Sequence, residues 1–219
     1  VGTPRSTAAV TNAAGPPLDR LPPMSSNNHR ELWVVRHGET PSSRGRKLAG
    51  WTDVPLTERG EAQAAALKPA FAAQPFDGVW SSDLLRALTS ARLAWGEPRP
   101  DRRLREIHFG ELEGADYMVM NGAIQEQLQR FEGFAAPGGE SFDDMRARVL
   151  AFVEELPPGR HALFAHGGVV RMLAREVGED RWFPTGSLVI VNWDARTLLS
   201  LREGEGTPRD ETGAAIETR

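Results

Sequence analysis

Two histidine-glycine pairs stand directly after short apolar segments of this 219-residue chain. Arg36-His37-Gly38 follows residues 32–35, and His166-Gly167-Gly168 follows residues 162–165. A single isolated histidine is most often a hydrogen-bonded turn residue. Two at the ends of predicted strands favour a ligand or reaction site instead, because α/β proteins place their sites at the carboxyl ends of parallel strands.

Short apolar or β-branched runs predict the strands that position these histidines. The runs cover residues 32–35, 78–80, 162–165 and Leu188–Asn192, and residues 197–201 complete an antiparallel hairpin with a turn near Asp194. Longer segments with helical patterns lie between most of them. This alternation predicts a three-layer α/β/α sandwich with a mostly parallel central sheet.

Three helices are predicted from their start signals and periodicity. Ser141 is an N-cap candidate, and the stripe after it follows the 3.6-residue period at Met145, Val149, Phe152, Val153 and Leu156. Residues 57–71 form an alanine-rich pattern that Pro69 is expected to kink or interrupt. Ser82 is expected to cap a further helix that carries Leu85, Leu88 and Leu93.

Composition excludes several classes of protein. With 26 basic and 30 acidic residues the net charge is −4, which does not suggest a nucleic-acid coat. Hydrophobic residues make up 40% and charged residues 26%, as in ordinary globular domains, so wholesale disorder and a pure coiled coil are excluded. The apolar runs are far shorter than the roughly 20 residues that cross a bilayer. The chain has no cysteine, which rules out disulfides, thiolate catalysis and cysteine metal sites.

The two ends of the chain are expected to lie outside the folded part. Residues 1–28 are rich in proline and small polar residues and predict a disordered leader, with Met24 as a candidate translation start. Residues 203–219 predict a polar tail. Residues 29–202 remain for one catalytic domain, which is long enough for a sizeable core.

Further motifs extend the two histidine pairs into an ordered series. The blocks are Arg36-His37-Gly38-Glu39-Thr40; Gly50-Trp51-Thr52-Asp53 with Pro55-Leu56-Thr57-Glu58-Arg59-Gly60; Ser81-Ser82-Asp83-Leu84-Leu85-Arg86-Ala87; Leu104-Arg105-Glu106 with Gly110 and Glu113-Gly114; Gly138-Gly139-Glu140-Ser141-Phe142; and His166-Gly167-Gly168. In type and in order, they resemble the histidine phosphatase superfamily of phosphoglycerate-mutase-like proteins, and in particular its small bacterial phosphatases such as the alpha-ribazole and broad-specificity branches.

The resemblance implies a covalent mechanism at phosphorus. His37 would be the nucleophile whose imidazole forms a phosphohistidine that water later cleaves. Arg36, Arg86 and a protonated or hydrogen-donating His166 would hold the phosphate, which carries about two negative charges. The amides after His166, including that of Gly167, would add donors at a helix start.

Glu106 is the general acid that the resemblance implies. A carboxylic acid beside the phosphate can protonate an alkoxide as its bond to phosphorus breaks. The alternative is a surface glutamate paired with Arg103 or Arg105. Glu39, although part of the first block, is expected to bond backbone or an arginine and order its loop.

Four further residues, Thr40, Ser43, Arg46 and Gly50, are candidate substrate contacts. Thr40 offers a hydroxyl to phosphate or finishes the turn. Ser43 stands where the family commonly has a phosphate-binding asparagine, and Ala49, before Gly50, stands where a polar residue is frequent. Arg46 matches a frequently basic position, but its basic loop is equally compatible with a solvated face.

These observations predict a cytoplasmic phosphomonoester hydrolase that acts on a small phosphorylated metabolite without a metal or other cofactor. No nucleic-acid or membrane partner is expected, and a homodimer is left open. The alternatives are a cofactor-dependent phosphoglycerate mutase and a non-catalytic phospholigand-binding module. By comparison with the mutases that the sequence resembles, Ala49 stands where a hydroxyl side chain is expected, Phe109 where a tyrosine is expected and Tyr117 where a lysine is expected. The insert of residues 115–137 has a single arginine, Arg130, where the mutases have a longer insert with arginines over the site.

Overall fold

The computed structural model describes residues 28–204 of the chain. The predicted disordered leader, apart from Asn28, and the predicted polar tail, apart from Glu203 and Gly204, lie outside the described residues.

Within that span, six strands form one sheet, and the predicted mostly parallel arrangement is confirmed. The strands are β1 (Arg30–Arg36), β2 (Gly78–Ser81), β3 (Arg99–Pro100), β4 (Gly159–Ala165), β5 (Leu188–Asn192) and β6 (Thr197–Arg202). Their order is β3-β2-β4-β1-β5-β6. Strands β1 to β4 are parallel, and β5 and β6 form the predicted antiparallel hairpin at one edge.

Helices fill the connections between the strands. They are α1 (Pro41–Arg44), α2 (Glu58–Ala65), α3 (Lys68–Ala72), α4 (Leu85–Ala94), α5 (Gly122–Arg130), α6 (Phe142–Glu154) and α7 (Gly167–Arg175). Short 3-10 turns occupy Arg102–Leu104, Gly110–Leu112 and Tyr117–Val119. The predicted interruption by Pro69 is confirmed, because α2 ends at Ala65 and the proline lies in the first turn of α3, where its missing N–H costs nothing.

The sheet separates two hydrophobic cores, which gives the predicted three layers. On β1, Leu32 and Val34 pack into the core that α6 and α7 cover, whereas Trp33 and Val35 pack into the core that α3 and α4 cover. This alternation follows from the two-residue period of a strand. Because both faces of the central strands are buried, β1 and β4 appear in the sequence as continuous apolar runs.

The predicted caps have different outcomes. Ser141 caps α6 as predicted, in a capping box with Asp144. The prediction for Ser82 is wrong, because α4 begins at Leu85 and the amide of Leu85 donates to Asp53 Oδ1 at 2.8 Å. Ser82 instead accepts from the amide of Leu84. A cap from a residue 32 positions away leaves no local sequence pattern.

Strands β1 and β4 bring the two histidine pairs together. The strands are neighbours, and Arg36, the last residue of β1, is in register with Ala165, the last residue of β4. The His37 amide continues the pairing with a 3.0 Å hydrogen bond to the Ala165 carbonyl. His37 and His166 therefore leave the sheet side by side at its carboxyl edge.

Among the described helices, none is long and apolar enough to cross a membrane.

Candidate active site

His37 is buried at the end of β1, with 5% of its surface exposed. Its Nδ1 lies 2.7 Å from the carbonyl oxygen of Gly38. Because a carbonyl only accepts, Nδ1 must carry a hydrogen, and in the neutral ring Nε2 then carries the lone pair. Burial, followed by the charges of Arg86 and Arg36, lowers the pKa of His37 well below its ordinary value. The geometry thus supplies a neutral imidazole with a nucleophilic Nε2.

His166 has the opposite tautomer. Its Nδ1 is 3.1 Å from Nε of Arg86, and because a guanidinium only donates, Nδ1 accepts and Nε2 carries the hydrogen. Burial, followed by the nearby charge of Arg86, lowers the pKa of His166 well below its ordinary value. Of the two forms considered from the sequence, the geometry favours the neutral hydrogen donor. The Nε2 hydrogen is buried and has no hydrogen-bond partner among the described residues. The two imidazole centroids lie 5.2 Å apart.

Arg86 reaches the site from the first turn of α4 and is 1% exposed. Besides its bond to His166, it donates to the backbone carbonyls of Thr52, Ala49 and Gly50 at 3.0, 3.0 and 2.7 Å. A guanidinium has five N–H donors. Four of these donors are thus bonded to protein, so Arg86 fixes the loop before α2 beside His166.

Arg36 and Gly167 meet across the ends of the two strands. Arg36 donates through Nη1 to the carbonyl of Phe183 at 2.5 Å. A Cβ at Gly167 would lie 3.2 Å from the guanidinium carbon of Arg36, tighter than an ordinary contact. Gly167 therefore allows the arginine to pass close to the start of α7, beside His166.

Glu106 lies between the 3-10 turn Arg102–Leu104 and the start of α7. Its Oε2 accepts from the amide of Gly168 at 2.9 Å, and its Oε1 accepts from the amide of Ile107 at 3.1 Å. A Cβ at Gly168 would lie 2.4 Å from Oε1, so the glycine is required for this approach. The carboxyl group is thereby held two residues from His166.

The alternative of a surface ion pair for Glu106 is wrong. The Arg103 guanidinium bonds Asp101 at 2.8 Å and the Glu155 carboxylate at 2.7 Å. Arg105 bonds Asp83 at 2.6 Å. Both neighbouring cations are thus paired with other carboxylates.

The first motif continues into a short ordered loop. The Thr40 hydroxyl accepts from the amide of Ser43, and the Ser43 hydroxyl accepts from the amide of Thr40, so the pair forms a capping box for α1. Glu39 is bonded to Arg44 at 2.8 Å and to the Thr57 hydroxyl at 2.9 Å, which confirms its predicted role in ordering the loop. Contacts of Thr40 and Ser43 with substrate stay predictions, since their hydroxyls are engaged within the box.

Gly50 is held between two parts of the site. Its amide donates to Glu113 Oε2 at 3.0 Å, and its carbonyl accepts from Arg86. Burial opposes ionisation of Glu113, but hydrogen bonds from the Thr52 hydroxyl and nearby amides outweigh it and lower the pKa of this carboxyl. Arg46 is exposed in a left-handed conformation (φ 55°), so its predicted substrate contact stays a prediction.

Three residues around Glu106 had no predicted site role. Arg148 of α6 and the Trp51 indole both donate to the Glu106 carbonyl, at 2.8 and 2.9 Å, and Glu140 binds Arg148. Glu140 belongs to a motif block, which is a weak signal. Arg148 lies 42 residues from Glu106 and has no signal in the sequence.

Across residues 28–204, no three histidine or carboxylate side chains gather as metal ligands.

The carboxyl edge of the sheet thus brings together two histidines, two arginines and the carboxyl group of Glu106. A sequence profile of the histidine phosphatase superfamily (branch 1) matches residues 32–199, and the chain belongs to this superfamily. The predicted family and fold are confirmed.

The relatives include both mutases and phosphatases. The crystal structure of a phosphoglycerate mutase from Thermus thermophilus is 50% identical, with a TM-score of 0.73, over 78% of this chain and 97% of that one. The 2,3-bisphosphoglycerate-dependent phosphoglycerate mutase 2 of Gloeobacter violaceus is 35% identical over 67% of this chain and 74% of its own length. The adenosylcobalamin/alpha-ribazole phosphatase of Salmonella typhimurium is 30% identical over 65% and 76%.

Proposed function

We propose that this protein is a phosphomonoester hydrolase that acts through a phosphohistidine at His37 on a small phosphorylated metabolite. The observation that carries the proposal is the pair of opposite tautomers, with a lone pair on His37 Nε2 and a hydrogen on His166 Nε2. One imidazole attacks phosphorus while the other donates to a phosphate oxygen.

In the proposed mechanism, phosphoryl transfer to His37 is followed by hydrolysis of the phosphohistidine. His37 Nε2 forms a bond to phosphorus as the ester oxygen leaves, and Glu106 in its protonated form supplies the proton to that oxygen. Glu106, now a carboxylate, then accepts a proton from water, which attacks phosphorus and breaks the N–P bond. Inorganic phosphate leaves, and both residues return to their starting states. Arg36 and Arg86 neutralise the charge on the oxygens of the transferred group, and His166 donates a hydrogen bond to them, so that no metal is required for this task.

The mutase is the second candidate, and the names of two relatives favour it. Three observations support the hydrolase instead. Phe109 packs in the core against Phe134 rather than offering a hydroxyl. Arg130 pairs with Glu126 on the exposed face of α5. Arg105, beside the acid, pairs with Asp83. Both arginines are thus paired with the protein's own carboxylates, and the Phe109 side chain offers no polar group to a substrate carboxylate.

A coupled enolase assay on 3-phosphoglycerate distinguishes the two. We expect phosphate release without a requirement for 2,3-bisphosphoglycerate, and negligible formation of 2-phosphoglycerate. Isomerisation faster than phosphate release would establish the mutase.

Rapid quench with ³²P-labelled substrate tests the covalent step shared by both enzymes. An acid-labile phosphoenzyme is expected in the wild type and should be missing in His37→Ala. A non-catalytic binding module would bind phosphate esters without any label transfer or turnover.

The cytoplasmic location, the small-metabolite partner and a homodimer stay predictions.

A further inference from the structure

The peptide segment that carries Glu106 is held by a residue outside the reaction centre. Arg148, on α6, makes five hydrogen bonds through its guanidinium. Three go to backbone carbonyls of this segment: Arg103 at 2.8 Å, Arg105 at 2.7 Å and Glu106 at 2.8 Å. The other two go to the Glu140 carboxylate at 2.8 and 2.9 Å. All five donors of the guanidinium are thus bonded.

Glu140 holds the same segment from its other end. Its Oε2 accepts from the amide of His108 at 2.9 Å, and its own amide donates to the carbonyl of His108 at 2.9 Å. The segment is thus fixed before Glu106 by Arg148 and after it by Glu140. The Trp51 indole adds a further bond to the Glu106 carbonyl.

This arrangement determines where the Glu106 carboxyl lies. The side chain starts from a backbone that is bonded at residues 103, 105, 106 and 108, and it ends at the amide of Gly168, two residues after His166. Transfer of a proton within the reacting geometry tolerates little displacement, because a misplacement of about 1 Å can cost on the order of 100-fold in rate. Rigid support from outside the site is what such a group requires.

We propose that Arg148, held by Glu140, is a positioning residue that keeps the Glu106 carboxyl in place for proton transfer to the leaving alkoxide. The inference rests on the proposed hydrolase. The Glu140–Arg148 pair should therefore affect only proton transfer from Glu106 to the leaving oxygen, and not the attack of His37 on phosphorus.

The leaving group provides the test. An alkoxide such as that of glycerol 2-phosphate needs the acid, whereas p-nitrophenolate leaves without a proton. For Glu106→Gln we expect a loss of about 10²-fold to 10³-fold in kcat on glycerol 2-phosphate and less than about 10-fold on p-nitrophenyl phosphate. For Arg148→Lys, which keeps the charge but offers three donors without the planar fork, we expect a smaller loss of about 10-fold to 50-fold with the same selectivity.

Combining the substitutions tests whether Arg148 acts through Glu106. In Arg148→Lys with Glu106→Gln, the loss on glycerol 2-phosphate should equal that of Glu106→Gln alone within about threefold, because residues acting as one unit are not additive. Arg146→Lys is the matched control, since Arg146 lies on the same helix, is half exposed and pairs with Glu176. This substitution should leave kcat on both substrates unchanged.

Glu140→Gln gives an independent measurement if Arg148→Lys does not fold, because it retains the shape of the side chain. It should show the same selectivity, with a smaller loss. Equal losses on both substrates in a variant with native melting temperature, or multiplicative losses in the double variant, would overturn the inference. Equal slowing of both substrates by Glu106→Gln would remove Glu106 from the acid role, and this inference would fail while the proposed hydrolysis through His37 would stand. If the wild type hydrolyses neither substrate, the proposed function fails and this inference fails with it.

Discussion

His37 and His166 are fixed as opposite tautomers by one hydrogen bond each, and their roles follow from those bonds. The Gly38 carbonyl can only accept, so it assigns the hydrogen of His37 to Nδ1. The Arg86 guanidinium can only donate, so it assigns the hydrogen of His166 to Nε2. Two chemically identical side chains thereby differ at Nε2, which suits the nucleophile and the donor that the proposed mechanism requires, and neither proposed role needs a proton from solvent.

The first prediction concerns the loss of each imidazole. His37→Ala should abolish turnover because it removes the nitrogen that attacks phosphorus in the proposed mechanism. His166→Ala should lower kcat by on the order of 10²-fold, as expected when one preorganised donor is lost. Initial rates with p-nitrophenyl phosphate measure both effects. His161→Gln, at the other end of β4, is the control and should retain activity. A His37→Ala protein with near-normal rate would rule out the covalent mechanism.

The second prediction concerns the charge of the two histidines. Because burial and nearby cations lower the pKa of both, each should be neutral at pH 6, where an exposed histidine is mostly protonated. Nitrogen-15 NMR of the free enzyme measures this and also distinguishes the tautomers, with the hydrogen on Nδ1 in His37 and on Nε2 in His166. A titration of either ring at or above pH 6.5 would contradict the assignment.

At the scale of elements, the site depends on backbones that approach one another closely. The loop after β1 lies against the first turn of α2, and a Cβ at Gly38 would be 2.1 Å from the Gly60 carbonyl oxygen. Both contacting groups belong to backbone and cannot rotate away. This packing holds His37 beside α4, whose Ser90 hydroxyl accepts from the Gly38 amide at 3.1 Å.

The third prediction follows from that contact. Gly38→Ala should destabilise the fold by more than about 2 kcal/mol, since overpacking against rigid backbone costs roughly 1–3 kcal/mol or more. Gly122→Ala, where a new Cβ has no neighbour within 4 Å, is the matched control and should be neutral or slightly stabilising. Urea denaturation of the two variants decides the matter. Equal stabilities would mean that the loop can move away from α2.

The elements also show what sequence patterns can and cannot predict. The ends of β1 and β4 were predictable because strands buried on both faces leave continuous apolar runs. Strand β3 was missed, because its two residues are exposed and one is proline, which suits an edge. The cap at Leu85 and the support of Glu106 were also missed. Their partners, Asp53 and Arg148, lie 32 and 42 residues away and meet these groups only in the folded chain.

At the scale of the molecule, the helical layers on both faces of the sheet contribute to the site or to its support. Arg86 of α4 enters the site from one face, and Arg148 of α6 supports the Glu106 segment from the other. The order β2-β4-β1 places the two histidine-bearing strands side by side within the sheet, so both helical layers reach the same edge. Positive charge is thus concentrated at one point of a chain whose net charge is −4.

The fourth prediction applies to the whole enzyme. Hydrolysis should survive exhaustive dialysis against EDTA, because the arginines supply the positive charge that a metal provides elsewhere and His166 adds a hydrogen-bond donor. Rates on p-nitrophenyl phosphate before and after chelation measure the effect. Loss of activity that zinc, manganese or magnesium restores would instead indicate a metallohydrolase.

The last prediction is that the fold loses stability between pH 7 and pH 5.5. Both buried histidines have pKa values lowered in the folded state, so below about pH 6.5 the unfolded chain binds protons that the folded chain does not. Stability therefore falls with pH through this window, at up to about 1.4 kcal/mol per pH unit for each histidine.

Carboxylates whose pKa is lowered in the folded state, such as Glu39 and Glu113, also make the fold less stable as the pH falls. Their effect is confined to pH values near and below the ordinary glutamate pKa of about 4.5. The window above pH 5 therefore isolates the histidines. Urea midpoints should show a decrease of about 2–3 kcal/mol in the free energy of unfolding between pH 7 and pH 5.5. In His37→Gln combined with His166→Gln most of that decrease should vanish, because glutamine does not titrate. An equal slope in the double variant would show that other groups, and not the active-site pair, link folding of this protein to pH.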